Sequence, residues 1–236
     1  MSEALDGRDI RDTSVFSLDR VTKVYTVGGR PVYALREVSL NGSEKDFIAI
    51  AGPSGSGKTT LLSLIGCLDV PTSGDVYVRS KKVGGLDDHQ LARIRGEEIG
   101  FVFQNFNLIP RLSAIQNVVL PMAFAGKVAS SNRKAKAEEL LRKVDLQPRM
   151  DHKPSELRGG ERQRVSIARS LANDPSMILA DEPTGNLDSE SGKGVMELFK
   201  SLNEQGRTLV VVTHNPDVAE YSKRTVELRD GSIINR

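Results

Sequence analysis

The sequence predicts an α/β fold: a core with a parallel β-sheet, an antiparallel β flank at the N-terminus and an inserted helical subdomain. The parallel sheet is indicated by three continuous apolar runs, at residues 47–51, 177–180 and 208–212, because strands buried on both faces lack polar alternation. The flank is indicated by alternating apolar and polar residues from 15 onward, and the helical subdomain by apolar residues with a 3.6-residue period. A chain of 236 residues can bury such a core without disulfides.

The N-terminal elements are predicted from these patterns. Residues 1–14 are polar and charged, so we expect a flexible tail there. A turn at Gly28-Gly29-Arg30-Pro31 separates two stretches of alternating residues. The buried run at 47–51 is followed by a helical pattern at 59–68. The alternating stretches predict four short antiparallel, half-exposed strands: 15–18, 21–25, 32–35 and 38–40.

The later elements include two amphipathic helices and a hairpin. The first helix is indicated by apolar residues at i, i+3, i+4 and i+7, namely Ala137, Leu140, Leu141 and Val144. The second is indicated by Val165, Ala168 and Leu171. The hairpin joins 225–228 to 232–234 through a tight turn at Asp230-Gly231. The predicted domain organisation is therefore a tail (1–14) and one domain (15–236), with core segments 15–104 and 172–236 around a helical subdomain of about 105–171.

Composition narrows the class of protein. The net charge of +2 argues against a nucleic-acid binder that works through bulk charge. A single cysteine, Cys67, excludes an intramolecular disulfide framework and a multi-cysteine metal cluster. The apolar runs are far shorter than the roughly 20 residues of a membrane-spanning helix, and residues 1–14 lack a signal-peptide core. We expect a cytoplasmic protein.

The strongest chemical motif is the segment 52–59, which reads Gly-Pro-Ser-Gly-Ser-Gly-Lys-Thr and lies between a buried strand and a helix. It matches the phosphate-binding loop G-x-x-x-x-G-K-[ST], so the core is predicted to be that of a P-loop NTPase. Its backbone N–H groups and the helix N-terminus would surround phosphate oxygens. Lys58 is expected to reach the β- and γ-phosphates, and the Thr59 hydroxyl to ligate Mg²⁺. The predicted nucleotide-binding residues here are Gly52, Pro53, Ser54, Gly55, Ser56, Gly57, Lys58, Thr59 and Thr60.

Two carboxylates, Asp181 and Glu182, follow the buried run at 177–180. They are predicted at the edge where parallel α/β sheets bind ligands. Asp181 is placed to orient Mg²⁺, and Glu182 to polarise the water that attacks the γ-phosphate. On their own, the two carboxylates are also compatible with solvated acidic residues of a loop. In a chain that also contains a phosphate loop, the two motifs are explained together as parts of one site.

Two further polar residues follow apolar runs. His214 ends the strand after 208–212 and is either a donor to the γ-phosphate or a hydrogen-bonded core histidine. Gln104 follows the run 101–103. Its amide oxygen can ligate Mg²⁺ and orient the attacking water, although an ordinary polar loop residue fits the same pattern.

With these motifs in this order, the chain resembles the ATP-binding subunit of an ATP-binding-cassette (ABC) transporter over about residues 15–236. The signature helix of that family has its counterpart at 156–169, and its aspartate loop at Gly185-Asn186-Leu187-Asp188. Segments 65–69 and 101–110 resemble the branch that contains lipoprotein-releasing and macrolide-exporting ATPases.

This resemblance implies an ATPase that uses ATP and Mg²⁺ and forms an ATP-sandwich dimer with a second ABC subunit, in the simplest case a homodimer. Tyr25 lies where the family has an aromatic residue that stacks on adenine. The alternative is that Tyr25 is an ordinary tyrosine of a strand, without a role in binding. Arg158, Gly159, Gly160 and Glu161 of the signature, with Asp188, would complete the partner's ATP site. The dimer would energise a transmembrane permease with a large extracytoplasmic domain, from the cytoplasmic inner face of the membrane. An apolar patch after Gln104 would receive a helix of that permease.

The signature departs from the family pattern. The usual Leu-Ser-Gly-Gly-Gln is replaced by Leu157-Arg158-Gly159-Gly160-Glu161. The guanidinium of Arg158 suits phosphate, and it can clamp ATP, clash with dimer closure or point to solvent. The alternative hypothesis is therefore a catalytically weak cassette that regulates a heterodimeric assembly. A DNA-repair or translation cassette is disfavoured, because the sequence contains neither a long coiled coil between the motifs nor a second cassette.

Overall fold

A computed structural model describes residues 14–235. The strands are β1 (Ser14–Val27), β2 (Arg30–Ser43), β3 (Phe47–Ala51), β4 (Ser73–Val78), β5 (Lys81–Lys82), β6 (Ile99–Phe103), β7 (Met177–Asp181), β8 (Thr208–Thr213), β9 (Arg224–Arg229) and β10 (Ser232–Asn235). The helices are α1 (Lys58–Ile65), α2 (Asp88–Glu98), α3 (Ala114–Ala125), α4 (Ser130–Lys143), α5 (Gly159–Ser170), α6 (Ser189–Glu204) and α7 (Pro216–Ala219). Short 3₁₀ turns lie at Gln147–Arg149 and Pro154–Glu156.

The N-terminal flank is a four-stranded antiparallel sheet in the order β2-β1-β4-β5. The four short strands that were predicted here are joined into two long ones, β1 and β2, because their breaks are β-bulges rather than chain reversals. Arg20 and Glu37 have positive φ at these bulges, and their backbone N–H groups donate to Ser39 Oγ and Thr22 Oγ1, at 2.9 and 3.1 Å. The expected flexible tail lies outside the described residues except for Ser14, which belongs to β1.

The second sheet has six strands in the order β10-β9-β3-β8-β7-β6, and the five strands from β9 to β6 are parallel. The three apolar runs that predicted buried parallel strands form β3, β7 and β8. The C-terminal hairpin forms as predicted, with Asp230 and Gly231 at φ +48° and +79°. Two positive φ values in a two-residue loop are what a type I′ turn requires. The predicted α/β fold class is confirmed.

The six-stranded sheet separates two hydrophobic cores. One face, with Ile50, Leu179 and Val210, packs against α1, α2 and the antiparallel flank. The opposite face, with Phe47 and Leu209, packs against α3, α4, α5 and α6. Burial on both faces explains why these strands lack polar alternation. The division into a core and a helical subdomain at about 105 and 171 stays a prediction.

Some helices and strands differ from the prediction. The helix predicted at 59–68 ends at Ile65, because Gly66 caps it and the backbone of Cys67 turns to φ +54°. Two strands, β4 and β5, and the helix α2 were not predicted; α2 buries only Leu91 and Ile94, too few for a clear period. The helix α6 was missed although its buried Val195, Phe199 and Leu202 follow helical spacing. Within residues 14–235, no helix is long and apolar enough to cross a bilayer.

Candidate functional site

The candidate site lies at the carboxyl edge of the six-stranded sheet. There β3 leads into the phosphate loop, and Gln104, Asp181-Glu182 and His214 stand at the ends of β6, β7 and β8. Adjacent parallel strands present their ends on one edge, which brings together residues as far apart in the chain as Gly52 and His214. The loops enclose a cavity of about 790 Å³.

The phosphate loop depends on glycine at two positions. Gly52 has φ +152°, and a Cβ atom there would lie 2.1 Å from the Leu228 carbonyl oxygen. Gly57 has φ +104°, and its Cβ would lie 2.3 Å from the Ala34 carbonyl oxygen. A side chain at either position would displace the neighbouring backbone, so the tight loop requires glycine.

Lys58 is the first residue of α1, and its side chain is buried within the loop. Its Nζ donates to the carbonyl oxygens of Gly52 and Pro53, both at 2.8 Å. These bonds place a positive charge at the centre of the loop and beside the N-terminus of α1, where the helix dipole also favours anions. The Ser56 hydroxyl is buried in the same loop and has no hydrogen-bond partner among the described residues.

Asp181 lies opposite the phosphate loop, with its Oδ1 3.5 Å from the Thr59 hydroxyl. Burial, and then the charge of the adjacent Glu182, raise the pKa of the Asp181 carboxyl, whereas the Thr59 hydrogen bond and the Lys58 charge oppose the rise. The Thr59 hydroxyl and the Asp181 carboxylate form a pair of hard oxygen donors facing one cavity.

Glu182 and His214 are in direct contact, with His214 Nδ1 2.7 Å from Glu182 Oε1. The Glu182 side chain is 17% exposed and that of His214 is 66% exposed. Glu182 also has φ +45°, a costly backbone conformation for a non-glycine residue, and its N–H donates to the Val212 carbonyl at 3.0 Å. The backbone thus turns at Glu182 so that its carboxylate meets the histidine of the neighbouring strand.

Gln104 is held between two loops. A Cβ on Gly185 would lie 2.6 Å from Gln104 Nε2, so the glycine permits this close approach. Asn186 Nδ2 donates to the Gln104 carbonyl oxygen at 3.0 Å and to Asn105 Oδ1 at 2.8 Å. The predicted aspartate loop therefore fastens the segment that carries Gln104.

The structure brings most of the predicted site residues together and leaves the signature apart. The cavity is lined by Tyr25, Gln104, Asp181, Glu182, His214 and, from the phosphate loop and α1, Pro53, Ser54, Gly55, Gly57, Lys58, Thr59 and Thr60. The signature residues Arg158, Gly159, Gly160 and Glu161 and the loop residue Asp188 are not among its lining residues. Asp188 instead caps α6, accepting from Ser191 N at 2.9 Å and Ser191 Oγ at 2.8 Å.

The signature segment begins α5. Arg158 occupies the N-cap position with φ −72° and ψ 165°, and its side chain is exposed. Glu161 Oε2 accepts from the Arg158 backbone N–H at 2.8 Å, and Glu161 Oε1 lies 3.2 Å from Arg149 Nε. The helix therefore has a capping carboxylate despite the arginine, and its first turn is half-buried.

Sequence reasoning missed five contributors to the cavity and its surroundings. Tyr33 lines the cavity wall with Val32 and Ala34. Lys23 and Asp69 lie behind Tyr25, in contact with it. The pairing of β1 with β2 places Tyr25 opposite Val32, and this register is not readable from spacing alone. Asp69 could have been singled out from the sequence, because it lies within the segment 65–69 that carries the resemblance to one branch of the family.

Comparisons with known proteins agree with this geometry. A family model described as "ABC transporter" matches residues 35–185. The chain is 51% identical over 223 residues to the uncharacterized ABC transporter ATP-binding protein MJ0796 of Methanocaldococcus jannaschii, covering 93% of this chain and 95% of that protein. It is 48% identical to the macrolide export ATP-binding/permease protein MacB of Syntrophobacter fumaroxidans, covering 93% of this chain but only 31% of MacB. A dimeric structure of MJ0796 in a post-hydrolysis state bound to ADP and Pi superposes with a TM-score of 0.86 at 49% identity, over 93% of this chain and 97% of that one.

Proposed function

The chain belongs to the ABC transporter family, and we propose that it is the ATP-hydrolysing subunit of a transporter, working as a dimer that drives a membrane permease. Its relatives, which include MJ0796 and MacB, confirm the predicted branch of lipoprotein-releasing and macrolide-exporting ATPases. The observation that carries the proposal is the contact of Glu182 with His214 in the cavity that also contains the phosphate loop.

The proposed chemistry follows from this arrangement. Lys58 and the loop N–H groups bind the phosphates of ATP. Glu182 accepts a proton from the attacking water, and its contact with the His214 Nδ1 fixes the orientation of both side chains. His214 steadies the γ-phosphate, and Gln104 orients the water. A positioned base of this kind typically accelerates a reaction by about 10²–10⁴-fold.

The residues present fit a Mg²⁺ ion. Thr59 Oγ1 and Asp181 Oδ1, 3.5 Å apart, face the same cavity as Gln104. Within residues 14–235 no cluster of three His, Cys, Asp or Glu side chains suits a metal, which agrees with an ion that takes most of its ligands from phosphate and water. We propose Thr59 and Gln104 as direct ligands and Asp181 as a carboxylate acting through water. The ion would neutralise charge on the β- and γ-phosphates.

An exposed apolar groove supports a permease partner. Phe101 and Phe103 of β6, with Leu120, Pro121 and Phe124 of α3, line a cavity of about 330 Å³, and Phe124 is 84% exposed. An exposed aromatic of this kind is typical of an interaction surface. MacB is named as both ATP-binding protein and permease, and we propose that a separate permease with a large extracytoplasmic domain inserts a helix into this groove. The cassette would then lie on the cytoplasmic face of the membrane.

A dimer is proposed because one chain holds the two halves of the ATP site apart. The phosphate loop lines the cavity, whereas the N-terminus of α5 with Gly159 and Gly160 does not. A second copy would present its α5 N-terminus, with free backbone N–H groups, to the γ-phosphate.

The weak regulatory cassette remains the second candidate, and the exposed Arg158 at the start of α5 favours it. The Glu182–His214 contact favours the working enzyme. The two candidates differ in whether the dimer turns over ATP without another subunit.

The test is the steady-state ATPase rate of the purified protein with Mg²⁺. We expect measurable turnover that falls by about 10²–10⁴-fold in Glu182→Gln, because the amide cannot accept the proton. Glu204→Gln, an exposed position at the end of α6, is the matched control and should retain the wild-type rate. Wild-type turnover in Glu182→Gln would contradict the base assignment. An inactive wild type that gains activity in Arg158→Ser would instead establish the regulatory cassette.

A further inference from the structure

The phenol of Tyr25 is held by the segment that directly follows helix α1. Its hydroxyl donates to Asp69 Oδ2 at 2.8 Å, and Tyr25 lines the phosphate cavity together with Thr60. Thr60 lies in the first turn of α1, and Asp69 follows the end of that helix. The ring is therefore fastened to the segment that follows α1, although it belongs to β1.

Lys23 completes this arrangement from the other side. Its side chain is buried, and its Nζ donates to Asp69 Oδ1 at 2.6 Å and to the Val70 carbonyl at 2.8 Å. The same Nζ lies 4.9 Å from the centroid of the Tyr25 ring, within the range of a cation–π contact. One face of the ring is thus covered by a cation, and Tyr25 also lines the phosphate cavity.

The carboxylate of Asp69 is the common partner. Burial alone would raise its pKa, but the hydrogen bonds from Lys23 and Tyr25 and the Val70 N–H hold the pKa of the carboxyl below its usual value. Asp69 is therefore ionised at neutral pH and accepts from both side chains. A charge-assisted hydrogen bond to a carboxylate is stronger than a neutral one, which favours a single orientation of the ring.

From this geometry we propose that Asp69 and Lys23 are positioning residues for the nucleobase, which stacks on the Tyr25 face remote from Lys23. The inference rests on the proposed function, since it assumes that the cavity binds a nucleotide. Because Asp69 follows the end of α1 by four residues, its hydrogen bond connects the ring to the helix that begins in the phosphate loop. The Tyr25 ring would then bind the base of a nucleoside triphosphate while the phosphate loop binds its phosphates. Little preference among bases is expected, because every base has a π-face.

The test separates ring orientation from stacking itself. Tyr25→Phe retains the aromatic face and the Lys23–Asp69 ion pair but removes the hydrogen bond from the hydroxyl to Asp69. We expect the dissociation constant of ATP, measured by titration calorimetry, to rise about three- to tenfold, the usual effect of one lost hydrogen bond. Inorganic tripolyphosphate, which has no base, should bind both proteins equally.

Asp69→Asn supplies the second measurement. If Asp69 acts through the Tyr25 hydroxyl, the Asp69→Asn substitution should weaken ATP binding when Tyr25 is present. The same substitution should cause little further loss in the Tyr25→Phe variant, so that the two effects are not additive. Thermal unfolding checks that each variant is folded, because Asp69→Asn also leaves the buried Lys23 without its anion. The matched control is Tyr221→Phe, which removes a phenol that donates to Glu197 at 3.3 Å and is not among the residues that line the phosphate cavity.

Two results would overturn the proposal. One is an unchanged ATP affinity in folded Tyr25→Phe, which would mean that stacking needs no positioning. The other is an equal loss of tripolyphosphate binding, which would mean a general change of the site. Neither result depends on ATP hydrolysis. A protein without ATPase activity would therefore contradict the proposed function, but the comparison of ATP affinities would still test the role of Asp69 and Lys23.

Discussion

Cys67, the single cysteine, is a residue whose environment decides its chemistry. It is 1% exposed and lies in the turn that ends α1, where Arg95 Nη1 donates to its carbonyl oxygen at 2.8 Å. Burial raises the pKa of its thiol to about 11, although the charge of Arg95 opposes the rise. Since the thiolate is the reactive form, burial and the raised pKa make Cys67 a packing residue of the core with an unreactive thiol.

We therefore predict that Cys67 resists alkylation until the protein unfolds. At pH 8 the thiolate fraction of a thiol with a pKa of about 11 is about 100-fold below that of one with the usual 9.0, and burial slows access further. Mass spectrometry after iodoacetamide treatment, with and without guanidinium, measures the difference. Labelling of the native protein at a tenth of the denatured rate or faster would contradict the assigned environment.

The raised pKa of the Cys67 thiol also predicts that the protein loses stability at alkaline pH. The folded state keeps the Cys67 proton to higher pH than the unfolded state does, so the free energy of unfolding falls as pH rises from about 9 to about 11. Thermal midpoints at pH 7, 9 and 10.5 for the wild type and Cys67→Ala test this. The alanine variant should lose less stability over that window, and parallel curves would refute the assignment.

Among the structural elements, the segment between β6 and α3 links Gln104 to the helices. Asn117 of α3 is fully buried and holds this segment with four hydrogen bonds. Its Oδ1 accepts from Ile109 N at 2.8 Å, and its Nδ2 donates to the carbonyl oxygens of Ile109, Leu112 and Ser113 at 3.3, 3.1 and 3.0 Å. One side chain thus replaces the regular backbone pairing that a loop lacks.

Asn117→Leu is predicted to destabilise the fold by about 1–3 kcal/mol, because buried backbone groups lose their partners. The segment around Ile109 should also become more sensitive to proteolysis. Urea unfolding and limited trypsin digestion measure the two effects. Asn132→Ala, at an exposed position of α4, is the control and should stay within about 0.5 kcal/mol of the wild type. Equal stability of the two variants would contradict this role of Asn117.

Considered as a whole, the molecule carries two surfaces that we propose bind the same nucleotide, and the two surfaces do not meet within one chain. The phosphate cavity and the N-terminus of α5 belong to different parts of the surface. The related MJ0796 cassette has been solved as a dimer. A dimer of this chain held by two ATP molecules would be most stable when hydrolysis is blocked.

The expected outcome is an ATP-dependent dimer of Glu182→Gln. Size-exclusion chromatography with light scattering should give about twice the 25.8 kDa monomer mass when Mg²⁺ and ATP are present, and the monomer mass with ADP. The double variant Glu182→Gln, Lys58→Ala should remain monomeric, because it lacks the phosphate-binding charge. A monomer in every nucleotide condition would argue for a different partner chain.

The sequence alone determined the fold class, the buried parallel strands and the residues of the phosphate loop. These features follow from local patterns: apolar runs, glycine spacing and polar residues directly after strands. The sequence likewise predicted separate roles for Glu182, His214 and Gln104 in one site. Their common location was expected because adjacent parallel strands end at the same edge of the sheet. The catalytic and binding roles of these residues stay predictions until the variants are measured.

Tertiary structure alone decided the rest. The merging of four predicted strands into β1 and β2 depends on bulges at Arg20 and Glu37, whose φ values result from contacts across the sheet. The contacts of Tyr25 with Asp69 and Lys23 depend on the approach of β1 to the end of α1, 44 positions away in the case of Asp69. Such contacts have no local signature, because the free energy that holds them comes from packing two distant segments against one core.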